Sequence, residues 1–341
     1  MEDKAIIEKI IRSSNASIEE IVQLLEGDEK LLFESADKLR SKYCGEEVHL
    51  RAIIEFSNHC RCDCQYCGLQ RLNEKIKRYR MSPNEIVQNV KEAHDAGYKT
   101  VVLQSGEDSY YTREIISDII RDIKKIGDIA ITLSVGERDY EDYAQWKKDG
   151  ADRFLLKHET ADPNIYDMLH PHSSFERRLQ CLRWLKELGY QTGSGFMIGL
   201  PGQSLETIAM DILLLSELDV EMAGIGPFIP HPDTGLNHEN TGSSLLTLKA
   251  VAITRLMLKR PHLPTTTALE VSTGTNAFCA GANVIMRKVE PHRYRRLYEI
   301  YPKPEGSEKT ILEERREVVD YIKSFGRVVS DSRGDAIEIK K

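Results

Sequence analysis

The residues with the clearest chemistry lie in one short run, Cys60-Arg61-Cys62-Asp63-Cys64-Gln65-Tyr66-Cys67. Taken as Cys60, Cys64 and Cys67, the thiols have the spacing C-x3-C-x2-C. Three close thiolates suit a 4Fe–4S cluster better than a structural zinc ion, which takes four protein ligands. A cluster held by three protein thiolates leaves one iron open to a ligand that is not protein. The spacing therefore predicts one redox cluster with an open coordination position.

A zinc knuckle is the alternative interpretation, with His59 or Cys62 as its fourth ligand. If the cluster forms instead, we expect Cys62 to be a surplus thiol that binds no iron. Four of the seven cysteines fall within eight residues. This grouping indicates metal binding in a reducing compartment and not a disulfide framework.

Composition narrows the class of protein. The 341 residues are 40% hydrophobic and 30% charged, as in a folded globular chain. The net charge is −7 without a prominent basic run, so we expect no nucleic-acid partner. The apolar runs are shorter than the roughly 18 residues that cross a bilayer, and the N-terminus lacks the apolar core of a signal peptide. We therefore expect a cytoplasmic protein with no membrane partner.

Further candidate ligand-binding residues follow the second and fourth predicted strands. In Gln104-Ser105-Gly106-Glu107-Asp108, Gly106 lets the backbone approach a ligand and Glu107 can accept from an ammonium group; a plain acidic turn is the alternative. In Lys157-His158-Glu159-Thr160, Glu159 should point into the active-site mouth. Arg178, on the next helix, can pair with a ligand carboxylate. The alternative is a buried Glu159–Arg178 ion pair that merely joins strand to helix.

Eight strand-like runs alternate with amphipathic stretches, which favours a complete (β/α)8 TIM-type barrel over an open α/β sheet. Residues 1–45 are predicted as an N-terminal helical cap over the barrel's N-terminal mouth, 46–312 as the barrel, and 313–341 as a C-terminal helix and tail packed on it. Capping boxes are expected at Ser17, Ser82 and Ser173. The predicted strands are Val48–Phe56, Thr100–Gln104, Ile129–Val135, Arg153–Lys157, Thr192–Ile198, Met222–Ile225, Thr265–Leu269 and Ala282–Ile285.

Two glycine-rich segments begin within predicted strands five and six and continue beyond their ends. The first runs from Gly193 to Gly202, and the second, from Gly224 to Thr234, also contains three prolines. Glycines allow a ligand to approach the backbone closely, and prolines stiffen a loop. We expect these segments to form a wall for adenosine or substrate; simple rigid turns are the alternative.

Together these motifs resemble the radical SAM superfamily, whose enzymes bind S-adenosylmethionine (SAM) on the open iron. They resemble most closely the HydE family of FeFe-hydrogenase maturases. The resemblance extends over about residues 45–302, and the segment that follows strand six is its most specific part. It rests on the cysteine run and on Arg78–Met81, Leu103–Asp108, Lys157–Thr160, Gly199–Gln203, Gly226–Thr234, Thr265–Ala268 and Gly281–Met286.

The resemblance implies a radical SAM enzyme with one 4Fe–4S cluster and SAM, acting on an iron-bound cysteine carbonyl–cyanide precursor of the hydrogenase di-iron site. It implies an electron donor such as flavodoxin or ferredoxin, and other hydrogenase maturases as partners. The SAM-binding residues it implies are Tyr66, Gly106, Glu107, Glu159, Arg178 and Met197. Those implied for a small anionic substrate are Lys157, Thr266, Thr267 and Tyr294, with Tyr298 in the same segment.

Two departures from the family pattern matter. No cysteine follows Cys279, so we expect one cluster where some members carry a second. The segment Glu270–Ala277 is shorter than expected and leaves the substrate open. A HydE-like enzyme with another amino-acid-like substrate, such as a methylornithine-synthase-like mutase, is therefore the alternative. A metal-binding protein without enzymatic activity is a third hypothesis.

Overall fold

The computed structural model describes residues 2–269, 277–302 and 309–336. Eight parallel strands curl into a nearly closed barrel in the order β6-β5-β4-β3-β2-β1-β8-β7, and a short ninth strand pairs with β1. The strands are β1 Glu47–Ser57, β2 Thr100–Ser105, β3 Ala130–Ser134, β4 Arg153–Leu155, β5 Gln191–Ile198, β6 Met222–Pro227, β7 Pro264–Thr265, β8 Val284–Lys288 and β9 Val328–Val329.

Helices connect the strands and surround the barrel. None of those in the described ranges is long and apolar enough to cross a membrane. They are α1 Glu2–Ser13, α2 Ile18–Glu26, α3 Glu29–Cys44, α4 Pro83–Asp95, α5 Arg113–Ile126, α6 Tyr140–Asp149, α7 Pro163–Leu169, α8 Phe175–Glu187, α9 Leu205–Glu217, α10 Ser244–Leu258, α11 His292–Arg295 and α12 Ile311–Ser324, with a 3₁₀ helix at Ala277–Ala280.

The core lies between the strands and these helices. Ile131 and Leu133 of β3 are fully buried, as are Ile120 and Ile123 of α5, which recur at helical spacing on one face. Parallel pairing brings the C-terminal ends of all eight strands to one end of the barrel. Side chains that follow those ends therefore converge, as the active sites of such barrels require.

Seven of the eight predicted strands are present, with ends shifted by a few residues. The seventh prediction is largely wrong, because β7 is limited to Pro264–Thr265 and residues 267–269 are helical, with Leu269 N donating to Thr266 O at 3.0 Å. The barrel is also less complete than predicted. Among the described residues, β6 and β7 are joined through one bridge, between Met222 and His262.

The predicted capping boxes at Ser17 and Ser82 are confirmed. The one at Ser173 is wrong by one residue, because Ser174 caps α8 through its side chain. The Ser173 hydroxyl instead donates to Glu137 Oε2 at 2.9 Å.

The two ends of the chain contact different parts of the barrel. The N-terminal helices pack on α9, α10 and the 3₁₀ helix, with Lys249 Nζ donating to Leu25 O at 2.9 Å. The C-terminal segment, residues 328–336, contacts the N-terminal ends of several strands. Its Asp335 pairs with Arg153 of β4 at 2.7 Å, and Ala336 N donates to Gln191 of β5 at 2.9 Å.

Candidate functional site

The cysteine loop, residues 58–73, follows β1 at the C-terminal end of the barrel. A β-carbon on Gly106 would lie 2.3 Å from His59 O and 2.8 Å from Cys60 Cβ, so β2 can approach the loop because residue 106 is glycine. A β-carbon on Gly68 would lie 2.3 Å from Glu299 O. The loop is thus held closely on two sides by neighbouring backbone.

A cavity of about 880 Å³ opens beside the cysteine loop and extends into the barrel. Its walls come from the ends of several strands and from the loops that follow them. The sequence-predicted residues that line it are Cys60, Cys64, Cys67, Tyr66, Gly106, Glu107, Lys157, Glu159, Arg178, Met197, Thr266 and Thr267.

The three cysteines suit an iron–sulfur cluster. Among the described residues, no three His, Cys, Asp or Glu side chains are grouped so that they could hold a single metal ion. His59 is not among the residues that line the cavity, which weakens the zinc alternative, although Cys62 does line it. Burial raises the pKa of the Cys67 thiol to about 12, and a bound iron cation would favour the thiolate. The donor set therefore fits a 4Fe–4S cluster with Cys60, Cys64 and Cys67 as its protein ligands.

Glu107 braces the cysteine loop. Its backbone N–H donates to Cys60 Sγ at 3.3 Å, and its carboxylate accepts from Arg61 Nε at 3.1 Å and from Glu137 N at 2.7 Å. A ligand ammonium group at Glu107, as predicted, would therefore compete with two protein donors for the carboxylate. Its structural contribution is to connect the loops that follow β2 and β3 to the cluster ligands.

Glu159 is held in an unusual conformation. Its φ of 65° lies in the left-handed region, which is uncommon for a residue other than glycine. Its backbone is fixed to β5, because Glu159 N donates to Gly195 O at 2.9 Å and Met197 N donates to Glu159 O at 3.1 Å. Its Oε2 atom is buried, and no described residue donates to it. A buried acceptor without a protein donor at the cavity wall indicates a ligand donor.

Arg178 pairs with a residue that the sequence did not indicate. Its Nε donates to Glu137 Oε1 at 2.7 Å, and both side chains are 8% exposed. The proposed Glu159–Arg178 pair is therefore wrong. Burial acts to raise the pKa of Glu137, yet Arg178 and Ser173 hold it below its ordinary value, so the pair is ionic. Arg178 Nη2 bonds to no described residue, so it can receive a ligand carboxylate.

Tyr66 and Met197 share a small apolar cluster beside the cavity. They pack against Ile165, Leu169, Leu200 and Phe228, which are all buried. The Tyr66 hydroxyl lies 3.0 Å from His170 Nε2, which fixes the ring. Pro227, Phe228 and Ile229 also line the cavity, as expected of the segment after strand six. This wall is apolar and can therefore contact an aromatic ring system.

Lys157 is a cation without a counter-ion in the described part of the chain. The carboxylate proposed as its partner, Glu55, pairs instead with Lys288 of β8. Thr266 donates through Oγ1 to Ile225 O at 3.2 Å, and Thr267 is exposed toward the cavity. Lys157 and the two threonines thus lie on one cavity, as the resemblance implied.

The deep end of the cavity carries a second cation that sequence reasoning missed. Arg51 of β1 is 3% exposed, and its Nε and Nη2 find no acceptor among the described residues. Its Nη1 lies 2.9 Å from Met222 Sδ. His262 lies at the same end, with both ring nitrogens unpaired within the described ranges. The signal that could have identified Arg51 is the alternation of side chains along β1, which places Arg51 on the inner face of the barrel.

Tyr294 does not line the cavity. Its ring stacks on Tyr79 at 4.8 Å, and its hydroxyl donates to Glu85 at 2.8 Å. The short helix α11 carries it to the outer side of the barrel. Tyr298, one turn later, is buried against the cavity and accepts from Gln104 Nε2 at 3.3 Å. Tyr298, and not Tyr294, therefore lines the cavity. Of Glu270–Ala277, residues 270–276 lie outside the described residues.

Comparison with known proteins also indicates a radical SAM enzyme. The model of the Radical SAM superfamily matches residues 54–215. The chain is 54% identical over 279 residues to the [FeFe] hydrogenase maturase subunit HydE of Thermotoga maritima, covering 81% of this chain and 80% of that protein. It is 32% identical to the 3-methylornithine synthase of Methanosarcina acetivorans, over 82% and 81% of the two chains.

Among solved structures, methylornithine synthase (PylB) superposes with a TM-score of 0.84 and 26% identity, covering 97% of this chain and 98% of that one. Three observations point to one conclusion: the three cysteines lie on a barrel cavity, Glu159 Oε2 beside them has no donor among the described residues, and the matches cover most of the chain. The chain belongs to the radical SAM superfamily and is a HydE-like radical SAM enzyme that uses a 4Fe–4S cluster and SAM.

Proposed function

We propose that this enzyme is a HydE-type maturase whose substrate is a small anion, an iron-bound cysteine carrying carbonyl and cyanide ligands. The observation that carries the proposal is one cavity that runs from the three cysteines to two cations, Lys157 and Arg51, neither of which forms an ion pair with a described carboxylate. Unpaired buried cations are costly, so a ligand anion is the natural partner. The 54% identity to a HydE maturase supports the substrate class.

A 4Fe–4S cluster held by Cys60, Cys64 and Cys67 would supply one electron to the SAM sulfonium, so that its C5′–S bond breaks to give methionine and a 5′-deoxyadenosyl radical. The chain's own residues hold SAM in place for that step. Arg178 binds the carboxylate of its methionine part through the free Nη2, while Glu159 accepts from an N–H or O–H donor of SAM. Tyr66 and Met197 provide the apolar wall against the adenosine, and their packing excludes water from this side of the cavity.

An acidic electron carrier such as flavodoxin or ferredoxin is the expected partner at the cysteine loop. Between Asn58 and Arg80 the chain has six basic and two acidic residues, although its net charge is −7. Complementary charge steers association between proteins. Other hydrogenase maturases would supply the precursor and receive the product. We also propose that the enzyme is cytoplasmic. Its domain organisation would be a helical cap at residues 1–45, the barrel at 46–312, and residues 313–341 packed on the barrel.

The substrate class is tested by adding a synthetic cysteine-bound iron carbonyl–cyanide complex to the reduced, reconstituted enzyme. We expect it to stimulate 5′-deoxyadenosine formation saturably. Lys157→Met should raise the KM for the complex at least tenfold and leave the Kd for SAM unchanged. Lys147→Met is the matched control, because Lys147 is a half-buried lysine over Tyr190 outside the cavity. No stimulation of the wild-type enzyme would contradict the maturase assignment.

A methylornithine-synthase-like mutase is the second candidate, favoured by 32% identity to one such synthase and by the TM-score of 0.84 to another. This candidate predicts that a free amino acid, and not the iron complex, stimulates SAM cleavage. Incubation with each amino acid, followed by mass spectrometry and NMR of the products, tests it. A product with a rearranged carbon skeleton would replace the maturase assignment.

A further inference from the structure

We propose that Asp211 of α9 is a positioning residue for the SAM site, holding Glu159 of the β4 end and Met197 of β5 in place from behind the cavity. The inference rests on the proposed SAM-binding role of Glu159. Asp211 itself does not line the cavity, and its side chain is fully buried. It acts through neighbours of the two wall residues.

The first set of Asp211 contacts fixes the chain on both sides of Glu159. Asp211 Oδ1 accepts from the backbone N–H of Ala161, two residues after Glu159. The same oxygen lies 3.3 Å from Nε2 of His158, the residue before Glu159. One carboxylate thereby contacts both flanks of the residue whose φ is 65°.

The imidazole of His158 is itself held from its other side. His158 Nδ1 lies 2.9 Å from Ser194 Oγ, and that hydroxyl oxygen also accepts from His158 N at 3.1 Å. If the serine hydroxyl donates its own hydrogen to Nδ1, the ring hydrogen lies on Nε2, toward Asp211. The ring of His158 is fully buried and is contacted on both sides, by Ser194 and by Asp211.

The second set of Asp211 contacts runs through Gln203 to the end of β5. Gln203 Nε2 lies 3.5 Å from Asp211 Oδ2 and donates to Met197 O at 2.8 Å. Its Oε1 accepts from Gly199 N at 2.7 Å. The side chain thus bridges the turn that follows Met197, and Asp211 orients its amide.

A residue held in a sparsely populated conformation persists only where its surroundings fix it, and such residues concentrate at ligand sites. Glu159 is in that position, and its Oε2 has no donor among the described residues. Asp211 is the carboxylate that connects β4, β5 and α9 behind it. We therefore expect its loss to weaken SAM binding without removing a SAM contact.

Asp211→Asn tests this, because the amide keeps the volume but replaces one acceptor with a donor. In the reconstituted enzyme we expect the Kd for SAM to rise at least tenfold, the iron content to stay at the wild-type value, and the change that SAM causes in the EPR spectrum of the reduced cluster to be lost. Asp152→Asn is the control. Asp152 also accepts from a backbone N–H, that of Ile131 at 2.8 Å, but at the opposite end of the barrel.

The Kd of the control should stay within twofold of wild type. A wild-type Kd and a wild-type EPR response in Asp211→Asn would overturn the inference. If Asp211→Asn does not fold, Gln203→Ala is the test, because it removes only the contacts from Asp211 through Gln203 to Met197 and Gly199. We expect the Kd for SAM to rise at least threefold in this variant. An unchanged Kd would overturn the proposal. Failure of the reconstituted wild-type enzyme to bind SAM would refute the proposed function. That result is distinguishable from a failure of the Asp211 proposal, in which wild type and Asp211→Asn bind SAM equally well.

Discussion

Glu159 and Arg178 both line the cavity, but they do not pair with each other, because a third side chain, Glu137, pairs with Arg178. Glu137, from the loop after β3, neutralises Arg178, so Glu159 keeps an oxygen without a donor from the described residues. A direct Glu159–Arg178 pair would have occupied both ligand-binding groups. Sequence spacing alone could not reveal Glu137, because it lies 41 residues from Arg178 and carries no motif.

Replacing Glu159 should weaken SAM binding and leave the cluster intact. Loss of a charge-assisted hydrogen bond costs about 1.5–3 kcal/mol, so Glu159→Ala should raise the Kd for SAM by about 10-fold to 100-fold. Iron content per chain should equal that of wild type. Equilibrium binding of SAM to the reconstituted protein measures this effect, with the exposed acid in Glu141→Gln as control. Unchanged affinity in Glu159→Ala would remove it from the SAM site.

Glu290 gives the folded chain a distinct pH dependence. Burial, followed by the charge of Glu55, raises the pKa of Glu290 to about 8 from its ordinary 4.5. The folded state therefore holds a proton that the unfolded state has released between these values. The contribution of Glu290 to stability is complete below pH 4.5 and is lost as the pH rises toward 8, by up to about 1.4 kcal/mol per pH unit.

Urea unfolding of Glu290→Gln at pH 6 and pH 8 tests this prediction. The neutral amide should abolish most of the decline in stability that wild type shows over this range. Glu141→Gln, at an exposed acid of α6, should retain the wild-type decline. Equal declines in wild type and Glu290→Gln would contradict a protonated Glu290.

Among the elements, the strands were more predictable than the loops that carry the site. Buried apolar runs identified seven strands, but Thr265–Leu269 has the same β-branched, apolar character and is helical over residues 267–269. The Thr266 side chain bonds to Ile225 O, a tertiary contact that no local pattern encodes. The four-residue helix α11 is likewise too short for a periodic signal, so the sequence could not show that Tyr298 lines the cavity and Tyr294 does not.

The segment after β6 is an element that supports the cysteine loop. A β-carbon at residue 68 would lie 2.5 Å from His231 Cδ2 and 2.3 Å from Glu299 O. Gly68→Ala should therefore displace the loop and lower the iron content after reconstitution well below about four irons per chain. Gly127→Ala is the control, since its nearest neighbour is the flexible side chain of His94 at 3.2 Å. Full iron content in Gly68→Ala would show that the loop tolerates the shift.

At the scale of the whole molecule, the C-terminal segment connects the N-terminal ends of strands that are distant in sequence. Arg153 is fully buried, and Asp335 is its ion-pair partner. The sequence could not predict this contact, because 182 residues separate the two side chains. The same holds for the cavity, where Arg51 of the first strand lies near His262, just before the seventh.

Asp335→Ala should leave the buried Arg153 without its carboxylate while Thr100 and Arg333 O still accept from it. Because Asp335 is half exposed, we expect a loss of about 1–2 kcal/mol in the free energy of unfolding. Urea denaturation measures this loss. Asp331→Ala, at a residue of the same segment that has no ion pair within the described ranges, should change stability by less than about 0.5 kcal/mol. Equal effects of the two substitutions would contradict a specific role for the Arg153–Asp335 pair.

The central claim is that Cys60, Cys64 and Cys67 hold one 4Fe–4S cluster whose open iron binds SAM. Anaerobic reconstitution, followed by iron analysis and EPR with and without SAM, tests it most directly. We predict about four irons per chain, a spectrum that changes on addition of SAM, and loss of both in Cys60→Ala, Cys64→Ala and Cys67→Ala but not in Cys62→Ala. Stoichiometric zinc in place of iron, or loss of the cluster in Cys62→Ala alone, would contradict the claim.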